Sequence, residues 1–413
     1  MRNNTVSGLL SGVRVLDLSR ILAGPWSTQF MAELGAEVIK VEKPGVGDDT
    51  RKWGPPFLEP ATNGINTKDH PRPDAAYFHC ANRNKRSVEI NFAKPEGAEL
   101  IKKMAAQSDI FIENFKVGDL DRKGLGYEHL KALNPKLVYC SITGFGQDGP
   151  RAHEAGYDFI IQAMSGLMSI TGEREGDPMK VGVAVSDLFA GLYATSSMLA
   201  ALRHAEKTGN GQHIDVSLFD CQLAALANQS MNYLAEGKPP ARLGNAHPNI
   251  APYEALQAKD GPFIVAIGND DQFRAFCEKI GALDLAADEQ LQTNAERVKS
   301  RETLKTGLER YLAKKSVSEW LSIFADAGIP AGPINTIADA FHDPQAVARD
   351  ALVSTEETSV GRLPGHPVKY SDIGSVPLSA SPHLGEGTGD IISDYLSKDE
   401  IVDFKKRGII GAL

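Results

Sequence analysis

Between residues 13 and 144 the chain alternates short β-branched runs with segments of helical periodicity. Five runs predict strands, at residues 13–19 (VRVLDLS), 36–42 (AEVIKVE), 87–92 (SVEINF), 109–115 (DIFIENF) and 137–144 (LVYCSITG). Apolar spacing predicts helices over 25–34 and 95–107, each with Pro in its first turn. Because parallel strands need crossover helices, this alternation indicates an α/β fold with a mostly parallel sheet covered on both faces. Ligands of such sheets bind at the carboxyl ends of the strands.

The pattern changes in the second half of the chain. Residues 158–237 are mainly helical in pattern, and around 250–325 a hairpin at Asp260-Gly261 precedes three charged amphipathic helices. We therefore predict a large domain from residues 1–220 and 330–413, and a small α+β domain from 240–325. Residues 221–239 and 326–335 are the predicted linkers, and a last helix starts at Lys398. Residues 55–73, rich in Pro, Asn, Gly and Thr, predict an exposed insertion.

Composition excludes several classes of protein. A net charge of −9 and a pI near 5.6 argue against a nucleic-acid binder, which needs a basic face. The four cysteines form no CxxC pair, so neither a disulfide framework nor a zinc ribbon is predicted. No run predicts a secretory signal or a membrane span, so we expect a soluble, cytoplasmic protein without membrane partners.

The common catalytic and phosphate-binding motifs are absent from the sequence. There is no GxxxxGK[ST], and residues 45–47 (GVG) are followed by acidic residues rather than by a helix that opens after a strand. HExxH and GxSxG are also missing, and the ten histidines are scattered. We therefore expect no metal and no redox cofactor, and a dinucleotide-dependent oxidoreductase is disfavoured.

Asp187 is the strongest catalytic candidate that the local pattern offers. It follows an apolar, Gly-flanked run and precedes an uncharged stretch that extends to Leu202. Partial burial would raise the pKa of its carboxyl group and remove its hydration, which suits a nucleophile or a general base. The alternative is structural: either Asp187 or Ser186 caps the long helix that follows.

Two further features have a functional and a structural interpretation. Tyr157 is either a hydroxyl donor to a developing oxyanion or an aromatic residue that packs in the core. Asp158, the next residue, is predicted to cap the following helix. Arg83, Lys85 and Arg86 place three cations in four residues. They form either a solvated surface run or a phosphate site.

Eight segments in order resemble the class III CoA-transferase family, the formyl-CoA transferase and carnitine CoA-transferase type. They include LSGVRVLDLSRILAGPWSTQF, ANRNKRSVEINFAKPEG, AGYDFIIQAMSGLMSITG, VGVAVSDLFAGLYA and GIPAGPIN, within about residues 9–390. The resemblance implies a large Rossmann-like domain built from both chain ends, a small central domain, and two subunits interlocked as a homodimer. Among the members, the chain looks most like the succinyl-CoA:glutarate type, which acts on dicarboxylates.

The resemblance also assigns roles to the two candidates above. SDLFAG matches the family's catalytic aspartate motif, which implies that Asp187 attacks an acyl-CoA thioester and then carries CoA as an aspartyl thioester. Tyr157 falls where the family has an active-site tyrosine or histidine. The related α-methylacyl-CoA racemases use His at that position, and Tyr is a poor base for an α-proton at neutral pH.

CoA and substrate contacts follow by matching positions. The implied CoA contacts are Leu22, Ala23, Lys43, Ile90, Asn91, Phe92, Ala93, Asn114, Arg122, Ala155, Gly156 and Asp158. The implied substrate contacts are Trp53, Tyr77, Arg242, His247 and Asn249. The member that uses formate and oxalate has Gln where this chain has Leu22, which argues against formyl transfer, and it has Arg where this chain has Lys43.

These assignments predict an enzyme that moves CoA from an acyl-CoA donor, such as succinyl-CoA, to a small carboxylic or dicarboxylic acid. Its partners would be those two substrates and a second copy of the chain, and coenzyme A would be a substrate rather than a resident cofactor. The alternatives are an α-methylacyl-CoA racemase or epimerase, and a non-catalytic CoA-binding homologue.

Overall fold

The computed structural model describes residues 8–58, 73–355, 361–372 and 376–411. Its contacts divide the chain into two compact units. The first comprises the described residues of Met1–Ser165, Gly182–Leu226 and Pro344–Leu413, and the second comprises Gly166–Val181 and Ala227–Asp343. The predicted small domain, 240–325, lies wholly within the second unit, which also takes in most of both predicted linkers. Most of the predicted insertion at 55–73 lies outside the described residues.

Strands occupy short segments of both units. In chain order they are β1 (Arg14–Asp17), β2 (Glu37–Glu42), β3 (Phe57–Leu58), β4 (Asp74–Ala75), β5 (Arg86–Glu89), β6 (Ile110–Glu113), β7 (Val138–Thr143), β8 (His213–Ser217), β9 (Tyr253–Gln257), β10 (Pro262–Ala266), β11 (Ala331–Pro333), β12 (Leu352–Ser354) and β13 (Arg362–Pro364). The first unit contains a six-stranded sheet in the order β5-β2-β1-β6-β7-β8, and every neighbouring pair is parallel. In the second unit β11, β10 and β9 form an antiparallel sheet.

Helices connect and cover these strands. In chain order they are α1 (Ala23–Glu33), α2 (Ala76–His79), α3 (Pro95–Ala105), α4 (Tyr127–Leu133), α5 (Asp158–Met164), α6 (Leu167–Ile170), α7 (Val185–Thr208), α8 (Leu218–Ala225), α9 (Ala227–Glu236), α10 (Asp270–Ile280), α11 (Leu283–Ala287), α12 (Asn294–Lys299), α13 (Arg301–Leu312), α14 (Val317–Asp326), α15 (Ile337–His342), α16 (Pro344–Ala348), α17 (Thr388–Ser393) and α18 (Lys398–Lys406). Short 3-10 helices cover Asp49–Lys52, Asp121–Lys123 and Glu289–Leu291.

The predicted mostly parallel α/β sheet is confirmed. All five predicted strands are present and are shorter than predicted, with β5 starting one residue earlier, and both predicted helices form, as α1 and α3. Successive side chains of the central strands enter opposite cores: Leu16 packs in the core that contains α3 and α17, and Val15 packs in the core that contains α1 and α7. Helices therefore cover both faces of the sheet, as the continuous apolar runs require.

The second unit has more helices than its sequence pattern predicts. The hairpin at Asp260-Gly261 is confirmed, because β9 and β10 pair on either side of it. The prediction of three amphipathic helices after it is wrong, since α10 to α14 are five. Local signals divide them: Gly281 ends α10 in a left-handed conformation, and capping boxes at Thr293 and Ser316 start α12 and α14.

The longest helix, α7, packs in the core of the first unit. Its small residues face α1 and the sheet, and Ala190, Ala194 and Met198 are completely buried. A Cβ atom at Gly191 would lie 2.7 Å from the Ala23 carbonyl oxygen, so only glycine permits this approach of α7 to α1. In length and apolar composition α7 would suffice to span a bilayer, and within the described ranges no other helix does. Its packing is that of a core helix.

Candidate active site

A cavity of about 290 Å³ opens where the carboxyl ends of β1, β6 and β7 meet the amino ends of α5 and α7. Its lining residues are Arg20, Ile21, Ala23, Asp49, Asn114, Phe115, Lys116, Val117, Asp119, Ile142, Thr143, Gly144, Ala152, Glu154, Ala155, Gly156, Tyr157, Asp158, Asp187 and Leu218. We call it the first cavity. It lies at the edge of the sheet where parallel strands place their ligands. Seven of the residues predicted from the resemblance line it: Ala23, Asn114, Ala155, Gly156, Tyr157, Asp158 and Asp187.

Asp187 is the third residue of α7, not its cap. The cap position is Ala184, which makes no side-chain hydrogen bond, and the Ser186 hydroxyl donates instead to Gln222 Oε1 at 2.8 Å. The structural interpretation of Asp187 and Ser186 as capping residues is therefore wrong. Within the described part of the chain, the Asp187 carboxylate has neither a hydrogen bond nor an ion pair, although it lines the first cavity.

Burial raises the pKa of Asp187 to about 7, and the negative charge of Asp158 adds to the increase. Near neutral pH the group therefore exists in both protonation states. Its ionised form is poorly solvated and forms no ion pair with any described residue, so its lone pairs stay available for attack on a bound electrophile. A strongly perturbed carboxyl group in a cleft is typical of a catalytic residue.

Asp158 has a different task from the one predicted. It is the first residue of α5, and Tyr157 occupies the cap position without a side-chain hydrogen bond, so the prediction that Asp158 caps its own helix is wrong. Its Oδ1 accepts from the backbone N–H of Ser186 at 2.8 Å, and its Oδ2 accepts from Gln162 Nε2 at 2.8 Å. Asp158 thus satisfies a free N–H in the first turn of α7, the helix that carries Asp187.

Tyr157 lines the same cavity with 62% of its surface exposed. This exposure contradicts the interpretation of Tyr157 as a packing aromatic residue. Within the first unit, its hydroxyl is available to a ligand in the cavity that Asp187 also lines.

A second cavity, also of about 290 Å³, lies at the carboxyl ends of β2 and β5. Its lining residues are Leu18, Arg20, Lys40, Val41, Glu42, Lys43, Val46, Gly47, Asp48, Asp49, Ile90, Asn91, Phe92, Ala93 and Phe115. Lys43 and residues 90–93, which the resemblance assigned to CoA, therefore lie together. Arg20, Asp49 and Phe115 line both cavities.

Four of the predicted residues in the first unit line neither cavity. Leu22 is buried at the cap position of α1, and Arg122 pairs with Asp119 at the protein surface. Trp53 and Tyr77 contact each other edge to face, with ring centroids 5.3 Å apart. Burial raises the pKa of Tyr77 to about 12, and the Asp187 charge contributes next, so the phenol stays protonated within the electrostatic reach of Asp187.

The cations of residues 83–86 are structural. Arg83 is buried, donates to Glu33 Oε1 at 2.6 Å and has no solvent-facing role; Lys85 is buried and lies 3.3 Å from Asp17 Oδ2. Burial lowers the pKa of Lys85 to about 8. Both predicted alternatives, a solvated run and a phosphate site, are therefore wrong for Arg83 and Lys85. Arg86 is partly exposed and pairs with Glu37 at 3.1 Å.

The predicted substrate contacts Arg242, His247 and Asn249 all belong to the second unit. Arg242 Nη2 donates to the Gly176 carbonyl oxygen at 2.7 Å, which commits its guanidinium to a neighbouring loop. His247 Nδ1 accepts from the backbone N–H of Asn249 at 3.1 Å, so the Nε2 of a neutral ring carries the proton. Asn249 exchanges side-chain hydrogen bonds with Asn232.

Sequence reasoning missed Arg20 and Ile21, in the loop after β1. Ile21 has a φ of 72°, a left-handed conformation that is strained for a β-branched residue. The loop is held from two sides. Asn114 accepts from the Arg20 N–H at 2.9 Å and donates to the Arg20 carbonyl oxygen at 2.7 Å. The Ile21 N–H points at the Asp48 carboxylate at 3.3 Å, and Lys40 Nζ binds that carboxylate at 2.9 Å.

One signal in the sequence points to this arrangement. Lys40 lies in the middle of β2, between apolar residues of a strand that is buried on both faces. A lysine there needs a buried partner, which the sequence itself does not identify. Across the ranges that the structure describes, no group of three or more His, Cys, Asp or Glu side chains is placed to hold a metal ion.

Comparison with known proteins identifies the family of the chain. The sequence model of CoA-transferase family III matches residues 10–388. The chain belongs to that family. It is 49% identical over 387 residues to a succinate–glutarate CoA-transferase of Agrobacterium fabrum, with 93% of this chain and 95% of the relative covered. It is 42% identical over 393 residues to the succinyl-CoA:glutarate CoA-transferase of Mus musculus, with 95% and 87% covered.

A solved structure gives the same result for the fold. A CaiB/BaiF family protein from Brucella suis superposes with a TM-score of 0.82 at 48% identity, with 94% of this chain and 99% of that chain covered. The predicted family membership is thus confirmed, and the protein is a family III CoA-transferase. Its substrates are acyl-CoA and a carboxylic acid.

Proposed function

We propose that this CoA-transferase moves CoA from succinyl-CoA, or a similar donor, to a small dicarboxylic acid through a covalent intermediate on Asp187. The observation that carries the proposal is the state of Asp187: a partly buried carboxylate without a partner among the described residues, with a pKa near 7, in a cavity at the carboxyl end of the sheet. The names of the most similar relatives, which specify succinate and glutarate, support the substrate class.

The chemistry proceeds by exchange of acyl groups, without net transfer of a proton. An Asp187 oxygen attacks the thioester carbonyl and the carbon–sulfur bond breaks. CoA leaves as a thiolate, and the acyl group remains on Asp187 as a mixed anhydride. The thiolate then attacks the aspartyl carbonyl, and the donor acid leaves as a carboxylate, which produces an aspartyl-CoA thioester. The acceptor carboxylate reverses both steps and regenerates ionised Asp187. Each step exchanges one activated acyl group for another of similar energy, so the free energy of the thioester is retained through the relay.

The two cavities provide room for the two ends of an acyl-CoA. We place the thioester in the first cavity beside Asp187, with Tyr157 donating to the oxyanion that forms on the attacked carbonyl. We place the nucleotide in the second cavity, where Lys43 and Arg20 supply positive charge to its phosphates within an acidic protein. Asn114 and residues 155–158 would line the path between them.

The remaining features of the proposal concern assembly and the acceptor. We propose an interlocked homodimer in the cytoplasm. Of the predicted acceptor contacts, His247 can donate from Nε2 to a carboxylate, whereas Arg242 and Asn249 already bond to groups of the second unit. The racemase alternative requires a base at position 157. A tyrosine is a poor base for an α-proton at neutral pH, so Tyr157 disfavours it.

Variants of Asp187 test the proposal directly. Asp187→Ala is compared with wild type on a panel of acyl-CoA donors and carboxylate acceptors, with products followed by mass spectrometry. Asp390→Ala is the control, because its side chain is 91% exposed. We expect loss of CoA transfer in the first variant and wild-type transfer in the second. Wild-type transfer by Asp187→Ala would contradict the proposal.

Trapping distinguishes the alternatives. Borohydride reduces an aspartyl-CoA thioester, so incubation with donor and borohydride should modify Asp187 alone. Modification of another carboxylate would place the intermediate elsewhere. Exchange of the substrate α-proton with solvent deuterium, without CoA transfer, would identify a racemase instead.

A further inference from the structure

The carboxylate of Asp158 is fixed at the start of the helix that carries the nucleophile. Gln162, which is completely buried, donates to Oδ2, and the Ser186 N–H donates to Oδ1, each at 2.8 Å. Ser186 is also anchored through its hydroxyl to Gln222, another buried side chain. Asp158 and Asp187 line one cavity. Two carboxylates are thus held beside the same space, one with hydrogen-bond donors and one without.

We propose that Asp158 is a positioning residue which fixes the first turn of α7 and whose negative charge destabilises free, ionised Asp187 relative to its neutral acylated forms. The inference rests on the proposed function, because it requires Asp187 to be acylated during turnover. It adds a second carboxylate whose role is to set the balance between the free enzyme and the covalent intermediates.

The charge of Asp158 acts on Asp187 only in one state of the nucleophile. Repulsion between the two side chains exists only while Asp187 is an anion. Both the mixed anhydride and the aspartyl-CoA thioester are uncharged at Asp187, so acylation removes the repulsion. A like charge close by therefore raises the free energy of the resting carboxylate and leaves that of the intermediate unchanged.

Asp158 also fixes the amino end of α7. The first N–H groups of a helix have no partner within it, and an acceptor there fixes the direction of the first turn. Ala184, at the cap position, has no side-chain acceptor, so Asp158 supplies one from a neighbouring helix. The side chain of the next residue, Asp187, is oriented by that turn.

The surroundings of Asp187 leave Asp158 as the group that can act in this way. Tyr77, on α2, is a neutral phenol at the working pH. Other titratable groups on elements packed against α7 do not contribute to the Asp187 shift; they are Glu33 on α1, Asp220 and Cys221 on α8, Tyr139 and Cys140 on β7, and His213 and Asp215 on β8.

Asp158→Asn removes the charge and keeps the acceptor for the first turn of α7. The amide oxygen still accepts from the Ser186 N–H, whereas the contact with Gln162 is lost, because Gln162 Nε2 also donates to the Val183 carbonyl oxygen at 3.4 Å. Because kcat/KM requires ionised Asp187, it falls on the acid side of the Asp187 pKa. Removal of the charge should move this acid limb by about one pH unit to lower pH, and should reduce the fraction of enzyme trapped as aspartyl-CoA thioester about tenfold.

Controls keep the outcomes distinct. Asp220→Asn removes an exposed carboxylate from α8 and should leave both measurements at wild-type values. Asp158→Glu retains the charge and should retain the position of the acid limb even if its rate is lower. An unmoved acid limb and an unchanged trapped fraction in Asp158→Asn would overturn the inference, as would a uniform loss of rate at every pH. Full activity of Asp187→Ala would instead refute the proposed function.

Discussion

The Arg20 guanidinium lies 3.3 Å from the Asp49 carboxylate, and both side chains line both cavities. The two side chains are 46% and 49% exposed, so their pairing contributes little to stability. The same guanidinium lies over the Phe115 ring, 5.1 Å from its centroid. Arg20 is thus a partly solvated cation at the boundary of the two cavities, held by contacts that a phosphate can replace.

Arg20→Met should weaken acyl-CoA binding and affect the chemical step little. One charge-assisted contact with a phosphate contributes about 1.5 kcal/mol, so we expect KM for acyl-CoA to rise about tenfold. Steady-state kinetics with a fixed acceptor measure this change.

Arg274→Met is the matched control, because Arg274 is a similarly exposed arginine that pairs with Asp271 in the second unit. Its KM should equal that of wild type. An Arg20→Met enzyme with unchanged KM, or with an equal loss of kcat, would contradict a binding role.

The buried pair of Lys40 and Asp48 should stabilise the strained loop at Ile21. Burial alone would raise the pKa of Asp48, but the Lys40 charge lowers that pKa to about 2. Loss of one partner leaves the other charge buried, so Asp48→Leu and Lys40→Met should each lower the free energy of unfolding by about 3 to 5 kcal/mol. The double variant should lose less than the sum of the two single variants.

Urea denaturation of the four proteins measures this coupling. Additive losses would show that the two charges do not depend on each other. Because Asp48 also accepts from the Ile21 N–H, we further expect the KM for acyl-CoA to rise in every variant that lacks Asp48.

The sequence was sufficient to predict the sheet but not the charges beneath the site. The β-branched residues of a run such as AEVIKVE are enough to predict a strand, because the apolar pattern depends only on residues that are neighbours in sequence. The same run contains Lys40 and Glu42, whose partners Asp48 and Arg51 are identified by the folded structure. The roles of Arg83 and Lys85 were mispredicted for the same reason, since burial of a charge depends on a partner distant in sequence.

The site shows the same division. Motif matching located Asp187 and six further residues that line the first cavity. The sequence does not reveal whether Asp187 is the cap of α7 or its third residue, because Asp is common at both positions. The two placements differ only in where the first turn of the helix begins. Asp158 was assigned to its own helix because the acceptor geometry that directs it to Ser186 arises from the packing of α5 against α7.

Asp187 should make the protein less stable as the pH rises. Its folded-state pKa, near 7, exceeds its ordinary value of 3.8, so between these values the folded chain retains a proton that the unfolded chain has lost. The free energy of unfolding therefore decreases from about pH 4 to about pH 7. Asp187→Asn lacks this group and should be more stable than wild type at pH 8, by about 2 to 4 kcal/mol after allowance for partial exposure.

The difference between Asp187→Asn and wild type should disappear below pH 4, where both side chains are neutral. Urea denaturation at several pH values provides the measurement. A constant difference across this range would mean that the carboxyl group of Asp187 is not perturbed in the folded protein.

Arg83 and Arg86 are three residues apart and should differ greatly in their contributions to stability. Arg83 is buried and donates to Glu33 and to the Pro364 carbonyl oxygen, whereas Arg86 is partly exposed in its pair with Glu37. Arg83→Met leaves Glu33 without its arginine partner and should cost about 3 to 5 kcal/mol. Arg86→Met should cost less than about 1 kcal/mol. Since neither residue lines the first or the second cavity, neither variant, when folded, should change the KM for acyl-CoA. A higher KM with unchanged stability in Arg83→Met would restore the phosphate-site interpretation.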